Sequence, residues 1–98
     1  MSALTLVLRR PVYGTGKKVA FTDTAGSVSL PAETRTVIIW CSEDAYIAVG
    51  KTATTADLPL PANVVAQIPV DNRTGGPITV SAIQDSAGGN MFCIAAAE

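Results

Sequence analysis

The pattern of apolar and polar positions along this chain centres on Thr36–Gly50, TVIIWCSEDAYIAVG. Val37 to Cys41 are all apolar, Ser42, Glu43 and Asp44 are turn formers, and Ala45 to Val49 are apolar again, with an aromatic at Tyr46. Two strand-like runs around a short polar cluster predict a β-hairpin. A strand with one face in water alternates apolar and polar residues. This pair hardly alternates, so both of its faces are expected to meet apolar surface. One face can be the core of the chain's own domain, and the other calls for a second partner.

The remaining chain breaks into shorter runs. Ala3–Arg9 alternates, with Leu4, Leu6 and Leu8 on one face, and Pro11 ends that strand near Arg10. Lys17–Thr22 is a short strand, Asp23–Gly26 a turn, and Val28 and Leu30 mark a third strand stopped by Pro31. Lys51–Asn63, KTATTADLPLPAN, has no clean period and reads as an ordered surface loop with an extended Leu58–Pro61 segment. Val64–Val70 is a strand that Pro69 confines to an edge or a bulge. Asp71–Pro77 is a dense turn, Ile78–Ile83 a strand with Ile78, Val80 and Ala82 on one face, Gln84–Asn90 a Gly-rich loop, and Met91–Ala96 the final strand. About eight short strands with regular turn signals and no convincing helix predict an all-β chain. The expected fold is a small single-domain antiparallel β-sandwich or barrel, jelly-roll-like, over residues 1–98.

Composition sharpens the question of the second apolar face. Charged residues make up 15% of the chain, against about 25% in ordinary globular domains. A small domain has much surface for its volume, so the shortage suggests surface that is covered in the working state. A surface rich in Thr and Ser is the plainer alternative. A net charge of −1 without a basic patch argues against a nucleic-acid partner. No apolar run reaches the roughly 18 residues of a membrane-crossing helix. Ser2–Leu8 is short for a signal peptide, and Arg9–Arg10 follows it where a signal would have its cations first. The expected site of folding is a reducing cytoplasm.

Catalytic equipment is scarce. The chain has no histidine, which removes the commonest general base. Its carboxylates fall in predicted turns, where Asp has a local structural use; Glu43–Asp44 reads as a solvated turn rather than a catalytic pair. Gly14-Thr15-Gly16-Lys17-Lys18 fails as a phosphate loop, with Pro11 where a glycine is required and Lys18 where Ser or Thr is required. Cys41 and Cys93 cannot complete a four-ligand zinc site without histidine. They read as buried free thiols, with a disulfide between neighbouring strands as the alternative. Asn72-Arg73-Thr74 matches a glycosylation pattern and reads as a turn. No catalytic residue, metal or cofactor is expected, and the chain is not expected to be an enzyme. The expected interface residues are Val37, Ile39, Trp40, Tyr46 and Ile47 of the hairpin, with Leu58, Pro59, Leu60 and Pro61 of the loop. Trp40 and Tyr46 read as core or interface anchors, with a sugar-stacking pair as the alternative.

The wording of three segments adds to this. AYIAVG, KTATTADLPLPANVVAQIPV and ITVSAIQDSAGGNMFCIAAAE resemble small virion proteins of tailed bacteriophages, over roughly Thr36–Ala96. The resemblance implies a structural role as a capsid decoration or cement subunit. Such a subunit would bind the phage major capsid protein and its own copies, as a trimer if it follows the local axes of a shell. It would assemble in the bacterial host cytoplasm and end in the virion. A tail or head–tail connector component is the alternative within the resemblance. A carbohydrate-binding module using Trp40, Tyr46 and the Lys51–Asn63 loop is the alternative outside it. The resemblance marks strands and turns and assigns no site residues.

Overall fold

The structure, a computed structural model, describes residues 10–70 and 76–97. The expected Ala3–Arg9 strand, most of the Asp71–Pro77 turn and Asn72-Arg73-Thr74 lie outside the described residues. Among the described residues there are nine strands: β1 (Arg10–Pro11), β2 (Lys17–Phe21), β3 (Gly26–Leu30), β4 (Thr36–Cys41), β5 (Ala45–Val49), β6 (Leu58–Leu60), β7 (Ala66–Pro69), β8 (Ile78–Gln84) and β9 (Gly89–Ala97).

They form two antiparallel sheets. The first has the order β1-β9-β4-β7, with β2 also on β9; the second has the order β3-β8-β5-β6. Four of the pairings, β2 with β9, β3 with β8, β4 with β7 and β5 with β6, fold the chain as one long antiparallel ribbon. The ribbon is rolled so that β4 also meets β9 and β5 also meets β8. That is the jelly-roll arrangement of a β-sandwich.

This topology corrects the hairpin. β4 and β5 do not pair; each is an interior strand of a different sheet, and Ser42–Asp44 is a corner between sheets. A short polar loop between two apolar runs is compatible with either geometry. The lack of alternation favours the corner, because an interior strand of a sandwich has one face in the core and neighbours on both sides. Hydrogen bonds fix the corner to the end of β9: Ser42 N–H donates to the Asn90 carbonyl at 2.9 Å, and Asn90 N–H donates to Ser42 Oγ at 2.9 Å.

Two further expectations shift. Pro11 belongs to a strand, opposite Ala96. Leu58–Leu60 is strand β6 and not merely an extended loop segment, with Pro59 opposite Tyr46. Pro59 and Pro69 both sit on edge strands, where a missing N–H is tolerated. At Pro69 the reason is visible. Val70 N–H donates to the Arg35 carbonyl, so alternation along the ladder turns the Pro69 nitrogen away from β4.

The core lies between the sheets. Phe21, Val37, Ile39, Cys41, Met91 and Cys93 enter from the first sheet, and Leu30, Ala45, Ile47, Leu60, Ile78, Val80 and Ala82 from the second. The outer faces of the two sheets differ. On the second, the fully buried Ser81 donates to the Gly26 carbonyl (3.1 Å) and accepts from Ser27 Oγ (3.0 Å) and from the Ala53 N–H (3.0 Å). The Lys51–Asp57 segment therefore lies over this face and buries Ala53. Asp57 pins the segment, accepting from Lys51 Nζ at 2.9 Å and from Thr54 N–H at 2.7 Å. These bonds, the one from Lys51 foremost, hold the Asp57 carboxyl below its ordinary range.

Candidate functional site

The outer face of the first sheet has no such cover from the loop. Register places Ile38 opposite Ile94, and Trp40 opposite Phe92, on the side of β4 and β9 away from the core. Trp40 and Phe92 stack with ring centroids 4.4 Å apart and planes 14° apart. Phe92 is also opposite Lys18 of β2, whose Nζ stands 5.5 Å from the ring centroid. Val65, 63% exposed, closes the patch just ahead of β7. These residues, with Gly16 and Lys17, line an open groove of about 420 Å³. Aromatic side chains flanked by aliphatic ones in a shallow groove are the usual anchors of a protein interface.

The residues expected at an interface separate into three groups. Val37, Ile39, Ile47 and Leu60 are spent in the protein's own core, with Val37 and Ile39 at 0% exposure. Trp40 is half-buried on the outer face just described. Tyr46, Leu58, Pro59 and Pro61 lie on the second sheet's side, with Leu58 52% exposed. Tyr46 donates from its hydroxyl to Asp85 Oδ1 at 3.3 Å, and the Asp85 charge raises the phenol's pKa. Trp40 and Tyr46 thus sit on different sheets and cannot form one sugar-stacking platform. The pairing failed for the same reason as the hairpin: β4 and β5 belong to different sheets. Ile38, Lys18, Val65, Phe92 and Ile94 were missed, although Met91–Ala96 is as poor in alternation as Val37–Cys41 and carries the same signal.

Cys41 and Cys93 are free thiols on the core side of adjacent strands, each displaced by two residues from direct opposition. Burial pushes both thiols up to about 11; for Cys93 the neighbouring Cys41 adds to the rise and Lys17 offsets it in part. Both stay protonated at neutral pH and are poor nucleophiles. A thiol reagent should therefore leave the native protein unmodified at pH 8 and label both cysteines in denaturant. The sign of the linked stability follows. The unfolded chain ionises first, so the contribution is complete below pH 9.0 and is lost as pH rises towards about 11. Melting temperatures across that window check it.

Among the described residues, no three His, Cys, Asp or Glu side chains stand together as a metal site. Compared with known proteins, the chain matches no family model, and no curated protein or solved structure is similar enough to count as a relative.

Proposed function

We propose that this protein is a non-enzymatic structural subunit that docks onto a larger protein assembly through the outer face of its first sheet. The observation that carries the reading is the Trp40–Phe92 stack, flanked by Ile38, Ile94 and Val65, on that outer face. The opposite outer face is covered around Ser81 by the protein's own Lys51–Asp57 segment. The low charge of the chain, 15%, suits a subunit with part of its surface covered. Its resemblance to small phage virion proteins makes the assembly a phage shell and the role capsid decoration or cement. Jelly rolls serve in capsid and lectin domains alike, so the fold itself favours neither.

A cement subunit stabilises a shell by binding the assembled state and not the dissociated one. Shells lacking the protein should assemble but release their genome at a lower temperature. Adding the wild-type protein should restore the release temperature, and Trp40→Ala should fail to do so while remaining folded. Equal release temperatures with and without the protein, and the protein found only at the tail or a vertex, would transfer the reading to the connector role.

A further inference from the structure

The groove on the first sheet has a sign. Lys18 stands over Phe92 at one side of it, while Lys17, opposite Cys93, alternates to the other face of β2, and no carboxylate is among its described lining residues. A symmetric pairing of two copies through this face would bring the same patch to both sides and add a second Lys18 to the shared surface. The chain's own residues 1–9 offer Leu4, Leu6 and Leu8 but no Asp or Glu, and they lead into Arg9 and Arg10. Each of these occupants adds cation to cation over an apolar floor. A partner carrying the opposite charge gains at the same place, because complementary charges around an apolar centre speed encounter and suppress wrong partners.

We propose that the groove takes an apolar segment of another protein that carries Asp or Glu beside its apolar side chains. The apolar side chains pack on Trp40, Phe92, Ile38 and Ile94, and a carboxylate pairs with Lys18. This rests on the docking reading above and adds to it the chemistry of the partner.

Trp40 is the only tryptophan, so its fluorescence reports the groove directly. The probes are two short synthetic peptides with one pattern of Leu and Phe, one carrying Glu at the intervening positions and the other Lys. The Glu peptide should shift Trp40 emission saturably and bind about tenfold more tightly than the Lys peptide at low salt. That preference should vanish in a Lys18→Glu variant, whose circular dichroism should match the wild type because Lys18 is exposed. Equal binding of the two peptides would overturn the acidic preference and leave docking at this face intact. Binding of neither would overturn both. An emission that changes with the protein's own concentration would place a second copy in the groove. A change on deleting residues 1–9 would place the chain's own segment there. Either result would sink the proposal.

Discussion

Ile39→Ala should cost about 2–5 kcal/mol of folding stability, the range for truncating a large aliphatic side chain in a closed core. Ile39 is fully buried, flanked across the ladder by Cys93 on β9 and Ala66 on β7, and belongs to the core shared by both sheets. The whole stability of a small domain is about 5–15 kcal/mol, so this one change removes a large part of it. Its neighbour in the chain should behave differently. Trp40→Ala removes a half-buried ring and its stack on Phe92, and an aromatic pair contributes about 0.5–1.5 kcal/mol beyond the area it covers. With the area of a half-buried ring added, the total should stay below the about 3–5 kcal/mol of a fully buried tryptophan, so at roughly 4–8 °C per kcal/mol Ile39→Ala should have the lower melting point. A melting point for Trp40→Ala below that of Ile39→Ala would mean that the outer face of the first sheet is part of a core, and the docking reading would lose its surface.

This contrast between neighbours shows what the sequence carries and where it falls silent. Strand positions were legible because they depend on local pattern: β-branched and apolar runs cut by Gly, Pro and Asp at short intervals. Pro69 announced an edge strand, and β7 is one. Sheet membership was not legible. In a rolled ribbon the partners of β4 are β7 and β9, far along the chain, and no local feature of Ser42–Asp44 separates a corner from a hairpin turn. That one ambiguity propagated. It sent Val37, Ile39 and Ile47 to an expected interface when they belong to the core, and it joined Trp40 to Tyr46 across two sheets. The signal that survived was the missing alternation in Val37–Cys41. It foretold a second apolar face, and Ile38 and Trp40 supply it. Phe92 and Ile94 complete the face only because β9 pairs with β4, a fact of topology that their own strand could not announce.

Gly26→Ala should be as damaging as a core truncation, at about 3 kcal/mol or more, the upper part of the range for overpacking. Gly26 opens β3 opposite Ala82, where the chain turns from the first sheet to the second. A Cβ at this position would fall on the carbonyl oxygen of Ala20 and within 3.1 Å of Val19 Cγ2. The valine methyl can rotate away, but the carbonyl cannot. Ala20 is held by β2 in register with Asn90 of β9, so relief requires one backbone to move. The movement would also reach Ser81, whose hydroxyl donates to the Gly26 carbonyl and receives the Ala53 N–H. The segment over the second sheet should loosen with it, and exchange of the Ala53 amide hydrogen should quicken. Gly50→Ala is the control. Gly50 has a φ of +88° and nothing within 4 Å of the added atom, so only left-handed strain of about 1–2 kcal/mol is expected there. Urea unfolding should give a lower midpoint for Gly26→Ala than for Gly50→Ala at an unchanged slope. Equal midpoints, with Ala53 exchange unaltered, would show that β2 and β3 do not cross as closely as the fold places them.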